Sequence, residues 1–454
     1  MKICLICPYG MSVPGGVQNQ TLLLAKQFVN NGHEVLVIAP GQVSQEAGFL
    51  PYQVFDSGYK KRVRDKSQTV LTIRSRISTG FDRIKNLRSK NRLPASLRDG
   101  NQGKDESVTN IRMHSHSDLT PENQDRSEAV FFFSAGKTLA VRANGSVAPI
   151  SLSLRSAMTM SGVIKSWSPD ILHVHEPFAP ILSVAAMLSA RPHKRPVVAA
   201  TFHRSGAGGG YKSVGFLLRP LYKKADLCYA VSKPAQHTLA KVVKAGNARR
   251  AKVVFNGIDT VSLSKVLPYK SAAASRPTIC FVGRLEPRKG LEILLQALSD
   301  TALDVDVVIL GSGPEMARLQ PKYASSKNIF WLGRVGDEEK LSRIKASSLL
   351  ISPAITGESF GIVILEAMAL AVPVVCSNIP GHRASAGEAA LFVKPNDPED
   401  LKKAITDVLV DNDLRQDLIR KGLIRAEQMS IANLANIYLE DFQNALVKME
   451  DRPA

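Results

Sequence analysis

The sequence predicts an α/β fold of two doubly wound, Rossmann-like domains facing across a cleft. Three observations carry this expectation. The first 40 residues read strand, Gly loop, helix, strand, the order of a parallel sheet that binds its ligand at the C-terminal ends of its strands. The same alternation restarts after a Pro-, Ser- and Ala-containing stretch at 268–277, which reads as a hinge. A chain of 454 residues with 44% hydrophobic content can fill two cores. The expected domains are residues 1–268 and 269–430, followed by a helix over 431–454.

The elements follow in order. KICLICPY is a short apolar strand, and MSVPGGVQNQ is a Gly-containing loop. TLLLAKQFVNNG is an amphipathic helix stopped by Gly32, and HEVLVIAP is the second strand. Periodicity then fails. Residues 60–128 are rich in charge, Ser and Asn and read as a partly disordered insertion. Regular structure returns with AVFFFS and KTLAVRA, then strand-like runs at 171–175, 196–201, 227–231 and 252–255. In the second half come TICFVG, a helix at 290–299, DVVILG, a helix around 315–325, IFWLG and LLISP. A long apolar helix from Ile362, the strand PVVCS and terminal helices complete the chain.

Charge is concentrated. Residues 60–98 hold 13 Lys or Arg against Asp65 and Asp82, which is +11 of the net +19. Phosphate surfaces, lipid or nucleic acid, attract such a stretch; a solvated insertion is the plainer reading. Within it Val70, Ile73, Ile77, Phe81, Ile84 and Leu87 recur every three or four residues, with Arg74, Arg76, Arg83, Lys85 and Arg88 between them. A helix there has an apolar stripe flanked by cations, as on an anionic membrane, although core packing gives the same pattern. Nucleic acid predicts exposed aromatics among the cations, and Phe81 alone occurs, on the stripe. No nucleic-acid partner is expected. Five cysteines in so long a chain suit a reducing compartment. The apolar run before Pro8 is too short for a signal peptide and no run reaches bilayer length, so a cytoplasmic protein is expected.

Four segments can carry chemistry. GESFGIVILEA, 357–367, follows LLISP and opens a helix whose free amides suit a diphosphate. Glu358 and Glu366 stand eight residues apart, about 12 Å if wholly helical, which can hold hydroxyls at opposite ends of a nucleotide sugar. GRLEPRKG, 283–290, puts Arg284, Arg288 and Lys289 after the strand TICFV, where cations bind a diphosphate and stabilise it as a leaving group. The Gly15–Gly16 pair permits close backbone approach. HVHEP, 173–177, brings His175 and Glu176 to the end of an apolar strand. Each alone is ordinary surface or core chemistry; their combination is not.

That combination of GGVQ, HEP, GRLEPRKG and ESFGIVILE resembles the retaining glycosyltransferases of family four, which have the two-domain GT-B fold. Within them the chain is similar to bacterial phosphatidylinositol mannosyltransferases, which transfer mannose from GDP-mannose to phosphatidyl-myo-inositol. ICPYGMSVPGGVQ, ANGSVAP, ILHVHEPFAP, TFH and FNGID share in the likeness, which covers nearly everything outside about 60–130. The resemblance implies Arg284 and Lys289 as diphosphate ligands, Glu358 beside the transferred sugar and Glu366 at the ribose. It implies His175 near the sugar and Gly16 near the diphosphate on the opposite domain. Ser359, Phe360, Gly361 and Ile362 complete the donor-binding loop. WLGRVGDEEK, 331–340, matches the loop holding the base, with Val335, Asp337 and Lys340 at guanine. A carboxylate there accepts from both N1–H and the 2-amino group of guanine, which uracil lacks; an ordinary helix-start Asp337 is the alternative. Tyr9, Gln18, Asn144 and Ser146 fall at the acceptor. The resemblance further implies same-face attack through an ion-pair state, no cofactor and no metal, a final helix packed on the first domain, and action at the inner face of the cell membrane.

The chain departs from the mannosyltransferases at Ala143, where they have Tyr, and Pro149, where they have Arg. The helix before the HEP strand, basic in them, carries only Arg155 and Lys165 here. The stripe at 70–88 is expected to replace it as the membrane contact. The rival function is a UDP-sugar-dependent transferase with a soluble acceptor such as inositol phosphate. Cys4 and Cys7 read as core residues, Asp304 and Asp306 as a D-x-D without a metal, and His114 and His116 as chance neighbours.

Overall fold

The structure is a computed structural model that describes residues 1–11, 15–41, 50–51, 130–136, 138–143, 146–151, 153–189, 195–204, 218–243, 245–248, 250–270, 276–299 and 303–451, with backbone alone at 50–51, 139–143, 146–149 and 245. The described residues belong to one compact unit. The basic segment at 60–98, its stripe at 70–88, His114 and His116 all lie outside them.

The first sheet is built from β1 (Lys2–Ile6), β2 (Glu34–Ala39), β3 (Leu50–Pro51), β4 (Val130–Ser134), β7 (Ile171–His175), β8 (Val197–Phe202), β9 (Leu227–Ala230) and β10 (Lys252–Val253). Its order is β10-β9-β8-β7-β1-β2-β4-β3, and every pairing is parallel. The strands are near-continuous apolar runs because both faces are covered. From β1 the chain builds outward through β2 and β4, then returns to place β7 on the other side of β1. That reversal opens a crevice past the ends of β1 and β7. The stretch KTLAVRA to Ile150 forms a separate antiparallel hairpin, β5 (Leu139–Ala143) with β6 (Ser146–Ile150), in which Ala140 opposes Pro149 and Ala143 opposes Ser146. A bridge from Ile150 to Tyr9 ties it to the loop after β1.

The second sheet holds β11 (Thr278–Val282), β12 (Asp306–Leu310), β13 (Ile329–Gly333), β14 (Leu349–Ser352), β15 (Val374–Ser377) and β16 (Leu391–Val393). Its order, β13-β12-β11-β14-β15-β16, is again all parallel and reverses between β11 and β14.

The main helices are α1 (Gly16–Asn30), α2 (Leu154–Trp167), α3 (Leu182–Ser189), α4 (Lys233–Val243), α5 (Leu291–Ser299), α6 (Pro314–Lys322), α7 (Asp337–Lys345), α8 (Ile362–Ala369), α9 (Pro380–Ala386), α10 (Pro398–Val410), α11 (Asn412–Gln428) and α12 (Ile431–Glu450). Two differ from the sequence reading. Helix α1 starts at Gly16, inside the expected loop, because Gln18 and Gln20 are buried without being apolar. Helix α8 is not long: it has 8 residues and stops before Ala371, which adopts a positive φ of 60°. A helix apolar on all sides gives no periodic signal for its end.

Helix α12 leaves the second domain and completes the core of the first. Its Ile431, Leu434, Ala435, Tyr438, Leu439 and Phe442 pack with Leu24, Ala25 and Phe28 of α1 and with β1, β2 and β8. Phe442 meets Phe28 edge-on at 6.0 Å, and Tyr438 meets Tyr229 at 4.7 Å. The returning chain is clasped to 258: Ile258 N–H donates to Met429 O at 3.1 Å, and Ile431 N–H donates to Ile258 O at 2.8 Å. Gly257 is needed at this crossing, since a Cβ there would lie 2.9 Å from the Ile431 Cα.

Candidate functional site

Each sheet brings two of the four segments together at its own crevice. Gly15–Gly16 follows β1 and HEP follows β7; GRLEPRKG follows β11 and GESFG follows β14. All four therefore sit where open α/β sheets bind ligands. The domains touch beside them, where Phe360 of the GESFG loop stacks on Phe255 at 5.5 Å and α4 lies against α9.

On the first domain, β7 ends at His175 and the chain turns through Glu176, whose φ of 47° is uncommon for a side chain with a Cβ. The Glu176 carboxylate accepts the His203 N–H at 2.7 Å, holding the end of β8 against the end of β7. Burial pushes Glu176 up to about 7, against the pull of the His203 and Arg204 amides and the Arg204 charge. His175 is fully buried, and burial lowers its pKa to about 3, so the ring is neutral. Its Nδ1 is 2.8 Å from His203 Nε2, and its face stacks on His173 at 4.5 Å. Tyr9 is part-buried; the burial of its phenol first, then Glu176, raises its pKa far above the usual value. Gln18, in the first turn of α1, donates to Gly10 O at 3.4 Å. A Cβ at Gly16 would meet nothing within 4 Å, so the helix start presents open backbone. Gly15 is extended, with φ of −165°.

On the second domain an ionic chain spans the crevice. Lys289 Nζ lies 2.6 Å from Glu358 Oε1, and Arg288 Nη1 donates to the same oxygen at 3.0 Å. Arg288 also donates to Glu286 at 2.8 Å, and Arg284 lies 3.2 Å from Glu286. Burial alone would raise the Glu358 pKa; Lys289 and Arg288 outweigh it and hold the carboxylate ionised. Glu358 precedes α8, so the axial distance expected for a continuous helix to Glu366 does not apply. Gly361, with φ of 82°, turns the chain into α8. Gly381 lets the loop close, since a Cβ there would fall 2.2 Å from Glu358 O. His382 donates from Nδ1 to Ser377 O at 3.0 Å and accepts at Nε2 from the Ser352 hydroxyl at 3.2 Å, which fixes the loop from beneath.

One helical face away, Glu366 is buried on α8 and accepts from Lys340 Nζ at 3.0 Å. Lys340 also lies 3.2 Å from Asp337, at the start of α7. Burial works against the charge on Lys340, but Glu366 and Asp337 more than offset it and raise its pKa. Asp337 itself is open, with 77% of its side chain exposed, and Val335 is part-buried just before it.

The structure thus joins Lys289 to Glu358, Arg284 to Glu286, and Lys340 to both Glu366 and Asp337, while His175 and Gly16 share the crevice of the first domain. Ser359, Phe360 and Gly361 lie consecutively between Glu358 and α8, and Ile362 is the first residue of α8. Ser146 is described by backbone only; Asn144, Arg74, Arg76, Arg83, Lys85 and Arg88 lie outside the described residues. Sequence reasoning missed Glu286 and His382 and did not separate His203 from the TFH run. Their roles depend on contacts across loops, which spacing does not reveal. Asp304 and Asp306 are both paired with Arg276, at 2.8 and 3.9 Å. Cys4 and Cys7 are buried thiols, the latter pushed up to about 12 by burial.

Family models match both halves of the chain. The family model for Glycosyltransferase Family 4 matches residues 113–262, and that for glycosyl transferases group 1 matches 269–424. The chain is 32% identical over 429 residues to the phosphatidyl-myo-inositol mannosyltransferase of Mycobacterium leprae, covering 93% of this chain and 91% of that protein. It is 28% identical over 439 residues to the protein of the same name from Mycolicibacterium smegmatis, covering 94% and 90%. Among solved structures, a glycosyltransferase from Rickettsia africae superposes with a TM-score of 0.63 at 18% identity, covering 98% of both chains.

Proposed function

The chain belongs to the GT-B glycosyltransferases, in the family that contains the phosphatidyl-myo-inositol mannosyltransferases, and on that premise we propose that it transfers mannose from GDP-mannose to phosphatidyl-myo-inositol, with retention at the anomeric carbon, at the inner face of the cell membrane. The observation that carries this reading is the 32% identity to the Mycobacterium leprae protein of that name over nearly the full length of both chains.

The residues divide the work as follows. The donor diphosphate takes Lys289 and Arg284 from their present carboxylate partners, and the amides of Gly16 and of the start of α8 meet its remaining oxygens. Glu358, released from Lys289, accepts from hydroxyls of the sugar. Glu366 accepts from the ribose, and Asp337 accepts from N1–H and the 2-amino group of guanine while Lys340 holds both carboxylates in place. The bond from the anomeric carbon to the β-phosphate oxygen breaks, and GDP departs with the electron pair. The inositol hydroxyl attacks the same face and gives its proton to the departing phosphate. The two cations stabilise the charge that develops on GDP, so the reading needs neither a metal nor a side-chain base. Tyr9, Gln18, Asn144 and Ser146 stand on the acceptor side in this reading. Among the described residues no helix is long and apolar enough to cross a membrane. Attachment is assigned to Arg74, Arg76, Arg83, Lys85 and Arg88, at about 1 kcal/mol per cation near an anionic surface.

The test is a transfer assay with labelled GDP-mannose and vesicles with or without phosphatidylinositol, following released GDP and label in lipid. Phosphatidylinositol-dependent label in lipid supports the reading. No GDP release and no label removes the guanine assignment of Asp337 and makes UDP-sugars the donors to try next.

A further inference from the structure

Residues 353–361 join β14 to α8 with no regular structure, so the shape of the GESFG loop is set by what it touches. Two supports come from its own domain. Ile355 N–H donates to Arg288 O at 2.8 Å, and α9 lies close beneath Glu358, where a Cβ on Gly381 would strike the Glu358 carbonyl. A third support comes from the other domain. Phe360, 3% exposed, stacks on Phe255 with ring centroids 5.5 Å apart and planes 22° from parallel.

The backbone on either side of Phe255 is fixed. Val254 N–H donates to Ala230 O at 3.0 Å, which ties it to the end of β9. Gly257 N–H donates to Gln20 Oε1 at 2.9 Å, at the tight crossing with Ile431. The half-buried ring packs against the cores of both domains. The Arg425 guanidinium lies 5.9 Å from its centroid. Arg425 in turn donates from Nε to Ser385 O at 2.8 Å and from Nη2 to Ala384 O at 2.7 Å, in the last turn of α9. The loop, Phe255, Arg425 and α9 thus form a closed circuit of contacts, and Phe255 is the member that belongs to the first domain.

We propose that Phe255 is a positioning residue for the donor loop: by stacking on Phe360 it sets, from the first domain, where the 359–361 backbone and the Glu358 carboxylate stand at the crevice of the second. The proposal rests on the functional reading above, which puts the donor diphosphate at the start of α8 and the sugar at Glu358, but the contact itself belongs to the free protein. A flat aromatic face fixes the tilt of Phe360 as well as its distance, which an aliphatic side chain of similar size does not. A displacement of about 1 Å at the reacting groups, caused from a distance, costs about a hundredfold in rate.

The experiment compares Phe255→Leu with Phe255→Tyr in the full-length protein, at temperatures well below unfolding. Phe255→Leu keeps the site apolar and should lower kcat about tenfold to a hundredfold and weaken GDP binding in calorimetry. Phe255→Tyr keeps the ring and should stay within about twofold of the wild type in both. Ordinary packing predicts that either variant loses stability alone; unchanged kcat and GDP affinity in Phe255→Leu overturn the proposal, as does a Phe255→Tyr enzyme equally impaired. A readout without nucleotide is the δ1-methyl signal of Ile362, the first residue of α8, in 13C-methyl spectra, with Ile405 in the core of the second domain as reference and each assigned by substitution to Val. The Ile362 signal should move in Phe255→Leu while that of Ile405 stays; an unmoved Ile362 also overturns the proposal. If the donor has been misassigned, the wild type itself binds no GDP while the Ile362 result stands, so the two failures are distinguishable.

Discussion

Lys340→Met isolates the contribution of the ion pair that joins α7 to α8. Lys340 Nζ joins Glu366 at 3.0 Å and Asp337 at 3.2 Å, yet only one of these carboxylates is buried: the Glu366 side chain is 10% exposed and that of Asp337 77%. Burial raises the Glu366 pKa, and Lys340 supplies the opposing pull. Without the lysine a carboxylate remains in the interior with no counter-charge, a change that costs about 3–5 kcal/mol when the group is ionised. The folded pKa of Glu366 then rises further above its unfolded value. The loss relative to the wild type is therefore nearly absent below the wild-type folded pKa of Glu366, itself above the ordinary 4.5, and grows by about 1.4 kcal/mol per pH unit above it until the folded group of the variant ionises. Urea unfolding followed by Trp331 fluorescence in a Trp167→Phe background reports on the second domain, because Trp331 lies on β13 and Trp167 on α2. The expected loss is about 3 kcal/mol at pH 8 and under about 1 kcal/mol at pH 5. Adding Glu366→Leu should return most of the pH 8 loss. Equal losses at the two pH values, or a double variant no more stable than the single, would refute the reasoning.

Lys289→Ala should lower kcat about 10²–10³-fold, the cost of removing one group that stabilises a developing anion, and weaken GDP binding measured by calorimetry. Gly381→Ala drives a Cβ to within 2.2 Å of Glu358 O, so transfer should fall at least about tenfold while urea unfolding of the first domain is unchanged. Glu176 is raised to about 7 from an ordinary 4.5, so its contribution is destabilising, absent below about 4.5 and complete above about 7; Glu176→Gln should raise Tm at pH 8 and leave it unaltered at pH 4. Phe442→Ala empties a fully buried position between Phe28 and Tyr438 and should destabilise the first domain by about 3–5 kcal/mol in chemical denaturation.

Much of the fold was legible because buried parallel strands are unbroken apolar runs. β7 and β11 begin and end close to where the sequence places them. The family was legible because its motifs stand in the loops that follow the C-terminal ends of the parallel strands. What stayed hidden depended on three-dimensional neighbours. Helix α1 begins with buried glutamines, one of them, Gln20, bound to the Gly257 N–H at 2.9 Å, a contact across 237 positions. Strand β10 keeps only two residues, Lys252 and Val253, paired with Tyr229 and Ala230 of β9. Glu286 reads as a solvated surface charge until the turn at Pro287–Lys289 folds Arg288 back onto it.

The return of α12 onto the first domain has a consequence for how the protein is made. The ribosome delivers Leu24 and Phe28 early, but their partners Tyr438 and Phe442 come among the last residues. The second domain draws its core from 279–429 with contributions from 258 and 263, all of it synthesised before α12 emerges. The order of completion is thus reversed relative to the order of synthesis: the domain that begins the chain is the one that finishes last. At about 5–20 residues per second, the apolar face of α1 waits some tens of seconds for its cover. A chain stopped just before Ile431 would release an intact second domain carrying a permanently open groove on its partner, a ready target for chaperones and proteases.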